Sequence, residues 1–182
     1  GDPANKVEFR DEIFLWNAPF DAAATSLVKT PQRYDRIIWG NDNVAIISDE
    51  WYDTRNTKTY VINPSNPSQG PKVIFDRNAQ DAYSDPGNFE TRKNQYNRYV
   101  LAIENDNAYL IGNGFTKNGQ FPFISEFNLK TLQTNRLYTS TYKDKKEDLL
   151  EIEDFKKGTV LVQIQSKNEY PNYYLRNFKQ KN

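Results

Sequence analysis

The stretch Glu50-Trp51-Tyr52-Asp53-Thr54-Arg55 gathers the side chains best suited to hold a ligand. Aromatic rings and a guanidinium are common anchors for peptide chains and carboxylates, so Trp51, Tyr52 and Arg55 are candidate substrate-binding residues. An arginine there would suit a ligand bearing a carboxylate. The competing account packs Trp51 and Tyr52 between structural repeats and leaves Arg55 as a solvated or salt-bridged strand end. For catalysis the chain offers less. It has no histidine and no cysteine, which removes imidazole-based acyl transfer, His- or thiolate-bound zinc, cysteine nucleophiles and disulfides from this segment taken alone. No catalytic residue is assigned.

Other polar groupings have simpler readings. Asp42, Asp49, Asp53 and Asp106 raise the question of calcium, which takes several carboxylate and carbonyl oxygens. Their spacing does not match an EF-hand loop, and Asn/Asp clusters beside glycine are what tight turns need, so neither a metal nor a cofactor is expected. The acid pairs Asp49 with Glu50 and Glu151 with Glu153 could in principle serve a glycosidase. Neighbouring carboxylates in a strand point to opposite faces, and Glu151 and Glu153 share one face of a charge-rich segment, which reads as a solvated surface. Gly112-Asn113-Gly114 lacks the helix start and the Lys-Ser/Thr of a phosphate loop and reads as a turn.

The elements that must position these residues are strands. Aromatics make up 14% of the 182 residues, with 12 Tyr and 11 Phe, which is material for a sheet core rather than a disordered tail. Lys+Arg and Asp+Glu are both 24, so no net field draws the chain to nucleic acid or to an anionic membrane, and no apolar run approaches the length of a spanning helix. Residues 12–17 and 26–30 read as a hairpin, and residues 36–39 and 44–48 as a second one around Gly40-Asn41-Asp42-Asn43, whose residues tolerate positive φ. A third pair follows, with a loop over residues 63–71 in which three prolines forbid helix. Residues 36–76 thus give four consecutive antiparallel strands. Residues 77–96 read as a long loop.

The pattern restarts with strands at residues 98–103, 108–111, 121–129 and 135–138, and again at residues 149–152, 159–164 and 173–177, where the last group lacks a fourth strand. Residues 143–157 admit a helix as well, because Leu149, Ile152 and Lys156 have i, i+3, i+7 spacing, but their position matches the first strand of the earlier groups. Similar residues recur at intervals of roughly 45 to 65, the period of a four-stranded propeller blade. The expected fold is therefore all-β, a partial β-propeller of about three to four four-stranded antiparallel blades, the first and last incomplete: residues 1–34, 35–96, 97–142 and 143–182. Blades cut from a ring leave raw apolar faces, which association between copies could cover. There is no methionine, and Gly1-Asp2-Pro3-Ala4-Asn5 reads as an added leader on an internal piece of a longer protein.

At Glu50-Trp51-Tyr52-Asp53-Thr54-Arg55, and at Phe75-Asp76-Arg77 leading to Tyr83-Ser84-Asp85-Pro86-Gly87, the sequence resembles the N-terminal β-propeller of prolyl oligopeptidase family serine peptidases, nearest to the glutamyl endopeptidase type. Tyr109-Leu110-Ile111-Gly112-Asn113-Gly114, Asn118-Gly119-Gln120-Phe121-Pro122-Phe123 and Ala18-Pro19-Phe20 carry the same likeness, so it runs through nearly the whole chain. The resemblance implies a parent protein with a C-terminal α/β-hydrolase domain bearing a Ser-Asp-His triad, capped by the propeller. This segment has no G-x-S-x-G elbow and no histidine, so none of the triad maps onto it. The expectation is a non-enzymatic segment of an exported or periplasmic peptidase, partnered by that hydrolase domain and by peptide substrate. The alternatives are a stand-alone propeller-type module binding protein or glycan, and more remotely a carboxylate-dependent glycosidase.

Overall fold

The structure is a computed structural model and describes residues 4–180. All of its regular elements are β-strands except one 3₁₀ turn, Pro67–Gln69, and every strand pairing is antiparallel. The chain divides into two compact units, Gly1–Gln80 and Asp81–Asn182.

The first unit holds β1 (Asp11–Leu15) and β2 (Thr25–Thr30), which pair as a hairpin, and a four-stranded sheet of β3 (Arg33–Asn41), β4 (Val44–Trp51), β5 (Asn56–Ile62) and β6 (Lys72–Asn78). The sheet order follows the sequence, as expected from the four consecutive apolar runs. β4 is buried along nearly its whole length because it has a neighbour on each side and cover on both faces, hence its unbroken Val-Ala-Ile-Ile run. Two local expectations are corrected. The β3–β4 turn uses no positive φ; a bulge near Trp39/Asn41 bends the strand, and the Asn41 side chain accepts the Asn43 N–H at 2.9 Å. The proline-rich loop, from which helix was excluded, contains the single 3₁₀ turn, since a proline in a first turn has no N–H to lose.

In the second unit, β7 (Asn88–Phe89), β8 (Thr91–Lys93), β9 (Tyr99–Leu101), β10 (Ile103–Glu104) and β11 (Asn107–Gly112) follow in sequence. Then come β12 (Phe115–Thr116), β13 (Gly119–Gln120), β14 (Phe123–Asn128), β15 (Thr134–Thr139), β16 (Lys146–Asp154), β17 (Thr159–Ser166) and β18 (Glu169–Asn177). β10, β11, β14 and β15 form one sheet, to which β7 adds across β11; β16, β17 and β18 form a three-stranded sheet; β8–β9 and β12–β13 are small ribbons. The long loop expected at residues 77–96 thus carries two short strands. They exist because Phe89 meets Phe127 edge-on at 5.8 Å and because Glu90 bonds through its N–H to Tyr109 O and through its carbonyl to the Ala102 N–H. The same Ala102 bond splits the expected 98–103 strand into β9 and β10. Asn105 and Asp106, both at positive φ, make the two-residue turn from β10 to β11.

Residues 146–154 are strand, not helix. The helix-like spacing of Leu149 and Ile152 comes from the bulge between Leu149 and Glu151, and a second between Ile152 and Asp154 follows; each adds a residue and resets which side chains face inward. Each unit buries sheet faces against one another. Leu27 and Val28 of β2 meet Ala45, Ile47, Tyr60 and Ile62 of the first unit, while Ile152, Val160 and Val162 meet Tyr109 and Ile124 of the second. Each buried Val, Leu or Ile among them contributes about 1.5–3 kcal/mol.

Gly114 is fixed by geometry rather than by chemistry. Its φ is +64°, its carbonyl accepts the Phe121 N–H at 2.9 Å, and a Cβ there would collide with the Phe121 carbonyl. Gly114→Ala is expected to cost about 2 kcal/mol or more in equilibrium denaturation. A variant within about 0.5 kcal/mol of the parent would show that this turn relaxes freely.

Candidate functional site

Trp51 ends β4 and Asn56 starts β5, so Tyr52 and Arg55 belong to the turn between the two strands. Arg55 has φ +55°, and its N–H reaches the Tyr52 carbonyl at 3.3 Å, closing the turn; its own carbonyl takes the Ala79 N–H at 2.6 Å. This backbone folds the Arg55 side chain back over its neighbour, placing the guanidinium 3.6 Å from the centre of the Tyr52 ring. Tyr52 is 70% exposed and Arg55 half-buried, so the stacked pair is open to solvent on its outer side. Among the described residues Arg55 makes no ion pair. Trp51 is half-buried and has the Arg10 guanidinium 4.3 Å from its ring centre. A guanidinium laid on an exposed ring can receive a carboxylate with the ring as floor, and the stack removes part of the side-chain entropy such binding would cost.

Two residues before Trp51 on β4 lies a buried acid, which the sequence offers only as a candidate calcium ligand or glycosidase carboxylate. Asp49 is fully buried; one carboxylate oxygen accepts the Gln32 N–H at 3.1 Å and the Tyr60 hydroxyl at 3.0 Å, and the other has no hydrogen-bond partner. Burial pushes the Asp49 carboxyl up, against the pull of those two donors. Burial and the Asp49 charge together push the Tyr60 hydroxyl well above the usual phenol range. The pair ties β4 to β5 and to the residue preceding β3. Elsewhere Asp106 is engaged by Lys130 at 2.6 Å and the Asp42 carbonyl by Ser65, while Glu151 and Glu153 are exposed on β16. Among the described residues no group of three or more His, Cys, Asp or Glu side chains is placed to hold a metal.

Two arrangements in the second unit went unread in the sequence. Glu147 of β16 is buried against Arg176 of β18, and Arg136 of β15 lines a cavity of about 420 Å³. Both depend on which residues face each other across strands. The one visible hint was polar residues, Ser125 and Glu147, at inward positions of strands.

Neither a family model nor a solved structure matches the chain. It is 31% identical over 194 residues to the probable glutamyl endopeptidase, chloroplastic, of Oryza sativa subsp. japonica, covering 97% of this chain and 20% of the relative. To the protein of the same name from Arabidopsis thaliana it is 32% identical over 195 residues, with the same 97% and 20% coverage. Both names place the relative in the chloroplast, so the comparison gives no support to the exported or periplasmic compartment expected above. No helix among the described residues is long and apolar enough to cross a membrane. The chain thus spans about a fifth of the length of the curated relatives it matches, and along nearly all of itself it is similar to proteins named as peptidases.

Proposed function

We propose that this chain is a non-catalytic β-propeller segment that gates or positions peptide substrate for a C-terminal α/β-hydrolase serine peptidase domain of its parent protein. The observation that carries the reading is the 31% and 32% identity, over 97% of the chain, to two glutamyl endopeptidases. The sheet topology supports it. A blade is an antiparallel meander, and β3–β4–β5–β6, β10–β11–β14–β15 and β16–β17–β18 each follow sequence order across their sheets. On this reading the two complete blades are the sheets β3–β4–β5–β6 and β10–β11–β14–β15, and the hairpin β1–β2 and the sheet β16–β17–β18 belong to partial blades. Tyr52 and Arg55, with Trp51 at the strand end, contact the peptide from the β4–β5 turn. Oligopeptides and loose segments enter, and folded proteins are excluded by width.

The test is covalent labelling of the full reading frame with a fluorophosphonate, which reacts with an activated serine, read by intact mass with the 182-residue chain as control. The expected result is one adduct on the full protein and none on the segment. An adduct on the segment, or none on either, overturns the reading. The second outcome favours a stand-alone binding module, for which β18 is the specific observation: Tyr170, Tyr173, Tyr174 and Leu175 are all exposed on it.

A further inference from the structure

We propose that the cavity beside Arg136 is a binding site for a carboxylate carried by an extended peptide, either an acidic side chain or the C-terminal carboxylate. The choice of a peptide as carrier rests on the function proposed above; the choice of a carboxylate rests on the geometry of Arg136 alone.

Arg136 lies opposite Ser125 across β14 and β15, next to a bulge between Ile124 and Ser125 that re-aims the side chains there. Its Nε donates to Ser125 Oγ at 3.0 Å, and its guanidinium lies 3.3 Å from the centre of the Phe123 ring. That ring is itself fixed. Phe123 is buried, and it lies over Gly112, where any Cβ would collide with the ring. The guanidinium is therefore held at its Nε and on one face before any ligand arrives, leaving both terminal nitrogens to point elsewhere.

Those nitrogens have no carboxylate among the described residues, in contrast to several other arginines of the chain. Arg33 pairs with Asp11, Arg92 with Glu104 and Arg176 with Glu147. Burial pulls the Arg136 guanidinium below its usual range with no anion acting against it. A partly desolvated cation without a counter-charge is costly, and a ligand carboxylate would remove that cost. The cavity of about 420 Å³ is lined besides by the hydroxyl-bearing residues Tyr83, Ser84 and Thr139 and by the apolar Phe115 and Phe121. The one acid in the lining, Asp85, accepts the Gly87 N–H at 3.0 Å within its own turn. Arg136 is also the only cation there, so the charge matches one carboxylate better than a phosphate dianion.

The test uses the isotope-labelled 182-residue chain and the Nε–H resonance of Arg136, assigned by its loss in Arg136→Lys. Three probes are titrated: acetyl-Gly-Glu-Gly-amide, the neutral acetyl-Gly-Gln-Gly-amide, and acetyl-Gly-Gln-Gly with a free carboxylate. The expected result is a saturable shift with one or both acidic probes and none with the neutral one; the probe that acts identifies side chain or terminus as the source. Affinity, read in the variants from the backbone amide shifts of the cavity-lining residues Gly114 and Thr139, should fall about ten-fold in Arg136→Lys, which keeps the charge and loses the fork. Ser125→Ala, which frees the Nε but leaves the sheet, should weaken binding several-fold with an unchanged circular dichroism spectrum, and it serves if the lysine variant fails to fold. Equal response to the neutral probe, undiminished binding by the variants, or tighter binding of inorganic phosphate than of either acid overturns the assignment. Because the segment is tested without any hydrolase domain, failure here leaves the gating role standing, and failure of the labelling experiment leaves this site standing.

Discussion

Arg176→Ala is expected to lower stability by about 3–5 kcal/mol, the usual cost of stranding a buried charge, against a total of about 5–15 kcal/mol for a domain. Glu147 is 2% exposed, and its two oxygens are taken by the Arg176 Nε at 2.8 Å and the Tyr138 hydroxyl at 2.7 Å. A second guanidinium nitrogen of Arg176 donates to the Tyr142 hydroxyl at 3.0 Å, and the guanidinium carbon lies 5.5 and 5.7 Å from the Tyr138 and Tyr142 ring centres. One arginine on β18 therefore neutralises an acid on β16 two strands away and orders two tyrosines. Without it Glu147 keeps a single donor and its full charge in an apolar surround. Removing both partners should be far milder: Glu147→Leu with Arg176→Met is expected within about 1–2 kcal/mol of the parent, because no charge is left buried. Urea denaturation followed by far-ultraviolet circular dichroism measures both. A single variant as stable as the double one would show that water reaches Glu147 and that the ion pair is a surface one.

The parts of this fold that could be read from the sequence are those longer than the period that announces them. β3 to β6 run for seven to nine residues each, so their apolar runs and intervening turns were visible, and the sheet order followed. β7, β10, β12 and β13 have two residues each, too few to show alternation, and they exist only because a neighbouring strand offers free backbone groups. β16 was ambiguous for a different reason: a bulge, not a helical turn, sets its inward residues three apart. The candidate site divides the same way. Tyr52 and Arg55 are near neighbours in sequence, so their joint exposure could be suspected from one stretch. Arg136 on Phe123, Glu147 with Arg176, and Asp49 under Tyr60 are meetings across strands, and a one-residue change in register would dissolve each of them.

Register also creates the group that should dominate the response of this chain to pH. Glu90 follows the two-residue β7, is half-buried, and has its carboxyl pushed up to about 7, mainly by burial and further by the Glu151 charge, while a 3.4 Å bond from the Ile152 N–H pulls it down. In the unfolded chain the same group titrates near 4.5. The folded form therefore holds its proton more tightly, so its contribution to stability is complete below about pH 4.5 and is lost as pH rises through about 7. At 1.36 kcal/mol per unit, and with allowance for the part that solvent reaches, the loss is about 2 kcal/mol across that window. The chain has no histidine, the side chain that ordinarily titrates between pH 5 and 8, so this slope stands on a quiet background. Glu90→Gln imitates the protonated acid and keeps an oxygen for the Ile152 N–H. It should flatten the decline between pH 5 and 8 and leave the variant about 2 kcal/mol more stable than the parent at pH 8, with little difference at pH 4.5. Denaturation midpoints taken across this range decide it: parallel curves for parent and variant would mean that Glu90 is hydrated in the native state and that β7 opens to solvent far more easily than its hydrogen bonds imply.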